Sequence, residues 1–391
     1  VRVLYSFPHT LGRAGIAETA LQQILGLDRL GVVIVLFCGS LGGLTLPPTI
    51  EVHETMVIAG RRVPHRAIGV QRAYSYHDWL TARWLAANHA GIDVVHAWPR
   101  GCLHTLNIAR RVGVPSLRES PNPHTASVMR ASAASAAAAG VALPADHSHA
   151  SNRAVLAMEE QEYAIATAVL VPSDYALGEF VAEGFAESHL LQHRYGVDIR
   201  RFPERRATRM PTDRPFRAIF VGRGDPTKGL HVALAAWRIA LLSNAELLIA
   251  GRIQPDYARG LLGDLSLPGV RALGFVTDVA SLFAEADVLV LPSWTEGSAL
   301  VIMEAEASGC VPLVSTASGP IGIAGLDFLE HPVGDAAQLA RQLTELANDP
   351  ARLAELSRHG TSRRGFLSWD TAAEVLRECY LSVIDGSTQS S

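Results

Sequence analysis

Along the whole chain, short and nearly continuous apolar runs rich in Val, Ile and Leu alternate with stretches in which apolar residues recur every three to four positions. The first kind of run suits a strand buried on both faces and the second an amphipathic helix, so their alternation predicts parallel sheets covered by helices. Strands are expected over residues 1–7, 32–38, 93–98, 114–118 and 168–172 in the first half, and over 217–222, 246–251, 270–275, 288–292 and 311–315 in the second. Each half opens in the same way, with a strand, a glycine-containing loop and an amphipathic helix (residues 16–30 and 230–242). The expectation is an α/β protein of two similar doubly wound domains.

Residues 199–216, RRFPERRATRMPTDRPF after Ile199, are rich in arginine and proline and poor in apolar side chains. Such a stretch cannot bury a face and is read as a linker. It divides the chain into an N-terminal domain (1–198) and a C-terminal domain (217–367). A last helix with a frayed tail (368–391), capped by Ser368, is placed to return to the first domain. The low-complexity run ASAASAAAA at 131–139 lacks the Leu, Ile and Phe of a membrane span and is expected to be a tolerant surface helix.

Composition narrows the function. Of 391 residues 48% are hydrophobic and 18% charged, as in a globular enzyme, and 34 basic against 38 acidic residues give a net charge of −4. No overall positive field exists to attract nucleic acid. The cysteines at 38, 102, 310 and 379 form no C-x-x-C pair and read as reduced, buried thiols. The start VRVLYSFPHT lacks the layout of a signal peptide and no apolar run approaches a bilayer span, so a cytoplasmic protein is expected, with peripheral contact at the inner membrane face left open.

Ligands of open parallel sheets gather beyond the carboxyl ends of the strands, where helix N-termini offer free N–H groups. After the first strand, Gly12 and Gly15 precede a helix but do not form G-x-G-x-x-G, which weakens a nicotinamide reading. After the strand 217–222 comes Gly222-Arg223-Gly-Asp-Pro-Thr-Lys228, which puts two cations where an anionic group would lie. Lys228 is the only lysine among the 34 basic residues, at a place where a compact ammonium differs from a guanidinium. The segment 291–316, LPSWTEGSALVIMEAEASGCVPLVST, sets Glu296 at a helix start and Glu304 eight positions on, up to about 12 Å along the axis at ~1.5 Å per residue. That exceeds the roughly 5–9.5 Å of a glycosidase carboxylate pair and suits two ends of one elongated ligand. Glu306 is read as surface charge, and His147-Ser-His149 as loop polarity.

In these residues the sequence resembles the retaining glycosyltransferases of family 4, which have the GT-B fold of two Rossmann-like domains facing each other across a cleft. Pro292, Ser293, Glu296, Gly297, Leu300, Glu304, Ala305, Gly309, Pro312 and Thr316 stand where that family has its E-x7-E segment. Gly222, Arg223 and Lys228 match its G-R-x4-K element, and Tyr195-Gly-Val-Asp-x3-Phe202 resembles the end of its N-terminal domain. The resemblance implies that Arg223 and Lys228 hold the diphosphate of a nucleotide-sugar donor. By the same match Glu296 takes the sugar hydroxyls, Glu304 the ribose, and the main chain of Gly297, Ser298, Ala299 and Leu300 cradles sugar and phosphate. The family has Phe-Gly where this chain has Ser298-Ala299. His124 resembles its cleft histidine, Gly12 and Gly15 its N-terminal glycine loop, and the donor base is expected near Val276.

The implied activity is retaining transfer of a sugar from a nucleotide-diphosphate donor to a hydroxyl acceptor on a sugar, a lipid-linked sugar or a small molecule, without cofactor or metal. A sugar-nucleotide epimerase or hydrolase, and a non-catalytic module on the same scaffold, are the competing readings.

Overall fold

The computed structural model describes the chain apart from residues 14, 59, 64–67, 144–146, 148, 204–213 and 389–391. Most of the arginine-rich linker thus lies outside the described residues.

The N-terminal sheet contains β1 (Arg2–Thr10), β2 (Val33–Ser40), β3 (Glu51–Glu54), β6 (Val94–Ala97), β7 (Ser116–Glu119), β8 (Ala168–Val171) and β9 (Leu190–Gln192). Between β3 and β6 lies a small antiparallel hairpin, β4 (Val57–Ile58) with β5 (Arg61–Arg62). The seven strands run parallel in the order β3-β2-β1-β6-β7-β8-β9. The C-terminal sheet contains β10 (Phe216–Val221), β11 (Ala245–Ala250), β12 (Val270–Gly274), β13 (Val288–Leu291), β14 (Val311–Ser315) and β15 (Leu329–His331). It is parallel in the order β12-β11-β10-β13-β14-β15.

All ten expected strands are present, with bounds moved by a few residues. All but the edge strand β12 are sealed on both faces: Leu4, paired with Val35 and Val95, and Ile219, paired with Leu248 and Leu289, are completely buried. The additions β3, β9 and β15 are short strands on sheet edges, where EVHE or LLQ need bury only part of its surface and leaves no apolar run to read.

Two features join the halves. The helix Trp369–Thr388 starts beside the C-terminal domain and packs along the helix Ile16–Arg29, with Tyr380 OH 2.7 Å from His96 Nδ1 in the N-terminal core. Ser368 Oγ caps it, accepting from Thr371 N–H at 3.2 Å. Where this second crossing leaves the C-terminal domain it lies against the first: Val197 N–H donates to Leu367 O at 2.8 Å, and a Cβ at Gly196 would meet Trp369 N at 2.5 Å. The second feature corrects an expectation. The low-complexity run is not a free surface helix, because in the helix Thr125–Ala138 the side chains of Ser132, Ser135 and Ala136 are buried. This helix packs on the turn Pro226–Lys228 of the other domain. Small side chains let a helix backbone approach a loop closely, which explains the composition.

Beneath the N-terminal sheet's carboxyl ends, Glu119 is fully buried, with His193 Nε2 3.0 Å and Tyr195 OH 2.7 Å away and His96 Nε2 at 3.1 Å. Burial alone would raise this carboxyl, but the histidines outweigh it and hold Glu119 well below the usual carboxylate range.

Candidate active site

Strand order reverses between β1 and β6 in one sheet and between β10 and β13 in the other, and the loop leaving β13 meets the loops leaving β7 and β8 across the cleft. In the C-terminal domain the turn after β10 is organised by Asp225, which is completely buried. Its carboxylate accepts from the Lys228 main-chain N–H at 3.1 Å and from the Arg223 guanidinium. Gly229 follows with φ 71°, and a Cβ there would lie 2.0 Å from the Pro292 carbonyl oxygen, so only glycine lets this turn sit on the loop after β13.

That contact brings Lys228 to Glu296. The ammonium donates to the Glu296 carboxylate, which also accepts from Ser293 Oγ at 2.9 Å. Each cation of the turn is therefore matched by a carboxylate, Arg223 by Asp225 and Lys228 by Glu296, and both cations keep part of their surface open, 54% and 26%. Gly297, next in the chain, touches the other domain: a Cβ would stand 1.9 Å from the Pro121 carbonyl oxygen, and Ser173 Oγ donates to the Gly297 carbonyl.

The helix Leu300–Ala307 starts just beyond, capped at Ala299. Ala299 N–H turns into the fold toward Ser318 O at 3.5 Å, so among the amides from Gly297 to Leu300 this one is already engaged. Glu304 lies on that helix, where burial pushes its carboxyl up to about 7 against the opposing charge of Arg201. Val276 occupies the bend after β12, beside a Phe275 ring that is 67% exposed with the Arg252 guanidinium 5.5 Å from its centroid. Gly222 leaves β10 with Lys228 passing 4.0 Å from where its Cβ would be.

Across the cleft a cavity of about 240 Å³ opens in the N-terminal domain, walled by His9, Tyr74, Arg100, Asn122, Met129 and His149 and floored by Arg118, Glu159 and Tyr163. Ile16, next to Gly15, reaches its rim. Gly12 and Gly15 both have positive φ; a Cβ at Gly12 would strike Leu44 at 2.5 Å, whereas Gly15 has open space around it. Arg118 is buried and tied into the core, its nitrogens going to Glu159 at 2.9 Å, Glu162 at 3.1 Å and Ser120 Oγ at 3.1 Å.

Three sequence readings need correction. His124 does not line the cavity: only 2% exposed, it caps the helix Thr125–Ala138 by accepting from Ala126 N–H and packs among Tyr163, Phe180 and Phe185. Its Nδ1, which the aromatic surroundings would otherwise strand, is satisfied by the helix end. Glu306 is not surface charge: buried, it pairs with Arg363 at 2.8 Å, and burial raises it to about 8. His149 is not mere loop polarity, because it stands in the cavity wall, where burial, His147 and then Arg223 and Arg100 push it down to about 4.

The reading also missed Asp225, Ser173, Arg100 and the Pro121–Asn122 turn. Asp225 was visible as an Asp-Pro helix start and Arg100 as a cation following a strand, the same signal that marked Arg223. Ser173 was legible only as the N-cap of the helix Asp174–Ala182, where its Oγ accepts from Ala176 N–H, and nothing local marks its contact or that of Pro121 across the domains. Among the described residues no group of three or more His, Cys, Asp or Glu is disposed to hold a metal ion, and no helix is long and apolar enough to cross a membrane.

Residues 215–349 match the family model for glycosyl transferases group 1. The chain is 32% identical over 224 residues to glycogen synthase of Mycobacterium tuberculosis, covering 54% of this chain and 52% of that protein. It is 28% identical over 337 residues to D-inositol 3-phosphate glycosyltransferase of Streptomyces avermitilis, covering 79% and 64%. The chain thus spans between about half and two thirds of the length of these curated relatives. Among solved structures it superposes on Anabaena HepE in complex with UDP with a TM-score of 0.69 at 17% identity, over 98% of this chain and all of that one. Two parallel-sheet domains in this arrangement are the GT-B fold, and the similarity to the glycosyl transferases of group 1 lies in the C-terminal domain.

Proposed function

We propose that the protein is a retaining glycosyltransferase, of the family 4 kind, that moves a hexosyl group from a nucleotide-diphosphate sugar to a hydroxyl acceptor. The observation that carries the reading is the meeting of Arg223, Lys228 and Glu296 at the C-terminal switch point, directly against the Gly297–Pro121 contact that joins the two half-sites. Arg223 and Lys228 neutralise the departing diphosphate, which is the largest barrier term in such a reaction. Glu296 takes the sugar hydroxyls, Glu304 the ribose, and Phe275 with Val276 the base. Gly222, Ser298 and Leu300 keep main chain near the donor, while Gly12 and Gly15 border the acceptor side. The acceptor enters through the N-terminal cavity and attacks from the face the phosphate leaves, its proton passing to the departing phosphate oxygen. The cationic pair supplies charge that a metal supplies elsewhere, so no cofactor is invoked. HepE was solved with UDP, which makes UDP-sugars the first donors to try.

The test is release of nucleoside diphosphate from UDP-, GDP-, ADP- and dTDP-sugars with and without a cell extract as acceptor source. Release with one donor that rises with extract is the expected result. Brisk release independent of acceptor would replace transfer by hydrolysis or epimerisation, and absence of both release and binding would leave a non-catalytic module. A lipid-linked acceptor would bring the protein to the inner membrane face, which sedimentation with anionic vesicles would detect.

A further inference from the structure

Arg100 stands at the N-terminal counterpart of the donor switch point, directly after β6, and its backbone is unusual. It has φ 67°, a left-handed conformation that a non-glycine side chain adopts at a cost of about 1–3 kcal/mol. Two bonds hold it there: its main-chain N–H donates to Glu162 Oε2 at 3.1 Å and its Nε donates to Glu159 Oε1 at 2.7 Å. Both anchors use the inner edge of the residue. The side chain remains 35% exposed and lines the cavity together with His149 and Tyr74, and no bond within the protein is made by its two terminal nitrogens among the hydrogen bonds of the described residues.

Its neighbours are charged groups already engaged with one another. Burial opposes ionisation of Glu159, but Arg118 and Arg100 prevail and hold it down to about 2, so it counts as one negative charge. Glu162 is pushed up by burial against the pull of Arg118. His149 stays neutral. Arg118 directs four of its five N–H groups at Glu159, Glu162 and Ser120 within the floor, whereas the side chain of Arg100 is tied through Nε alone. What is left is one oriented arginine fork open to the cavity, the geometry that binds phosphate or carboxylate with two parallel hydrogen bonds.

We propose that Arg100 recognises an anionic group, a phosphate or a carboxylate, carried by the acceptor. This rests on the transferase reading and names the acceptor class for the same cleft. The test measures binding to the UDP-saturated protein of matched neutral and charged compounds: glucose against glucose 6-phosphate and glucuronate, and inositol against inositol 3-phosphate. At least one charged member should bind about tenfold or more tightly than its neutral partner, as a bidentate arginine contact implies. Which charged member gains distinguishes phosphate from carboxylate.

R100G is the decisive variant, because glycine suits the left-handed backbone and keeps the main-chain bond to Glu162 while removing the fork and its Nε bond to Glu159. It should erase the preference, and R100K should retain part of it. Equal binding within every pair, no binding of any charged member while UDP still binds, or a preference that survives in R100G would overturn the assignment. Failure of UDP itself to bind would instead overturn the donor reading beneath it.

Discussion

The two halves of the cleft are built on the same strand order and differ in how their charges are tied. In the C-terminal half each cation is paired with a carboxylate a few positions away in the same loop or on the neighbouring loop, and each pair keeps an open face. In the N-terminal half the charges sink into the core: Arg118 with Glu159 and Glu162, and Glu119 with two histidines, all contributed by segments far apart in sequence. The first arrangement can exchange partners when an anion arrives. The second is a fixed floor that shapes a cavity and leaves recognition to residues at its rim.

The sharpest way to break this contrast is to remove the exchangeable cation. Lys228→Ala should lower kcat/KM with the accepted donor by about 10²- to 10³-fold, roughly 3–4 kcal/mol, with little change in melting temperature. Steady-state kinetics and calorimetry on one preparation check both halves of the statement.

The next effect is a pH dependence. Glu304 is raised in the folded state, so its favourable contribution is complete below the ordinary carboxylate range and is lost as pH climbs to about 7. Discounted for its partial exposure, this amounts to about 1–3 kcal/mol. Urea denaturation at about pH 5 and about pH 8 should show a smaller loss for Glu304→Gln than for the wild type, while donor affinity falls.

Gly297→Ala tests whether the halves must touch. Its Cβ would overlap the Pro121 carbonyl, and overpacking of this kind costs about 1–3 kcal/mol, here felt as lost turnover more than lost fold. Glu296→Gln should raise affinity for free UDP by about tenfold, roughly 1.4 kcal/mol, because Lys228 no longer has an internal anion, yet turnover should drop. A UDP titration showing weaker binding would mean that the pair does not exchange. Smallest is Gly178→Ala, in the helix Asp174–Ala182 with open space around it, which should stabilise by less than about 1 kcal/mol and leave both half-sites unaffected.

The same contrast explains what could be read from the sequence. The donor half is written in contiguous strings, because a strand, a turn and a helix start are local; Arg223, Lys228, Glu296 and Glu304 could be placed before any coordinates. Nine interior strands were legible because burial on both faces leaves an unbroken apolar run, and the edge strand β12 was read with them from its own short run. The acceptor half is a composite of loops from Phe7 to Tyr163, and side-chain burial inverted two expectations there. His124 turned inward among aromatic rings, and His149 turned into the cavity. An alanine-rich run read as tolerant because contact with another domain has no periodicity of its own.

The seam at Gly196, Val197 and Trp369 has a mechanical consequence. Two chain crossings stitched side by side act as a single spine, which suppresses sliding and leaves the halves one easy freedom, rotation about that line. The Gly297–Pro121 contact is a separate join between the same two halves, so turning about the spine has to open or remake it.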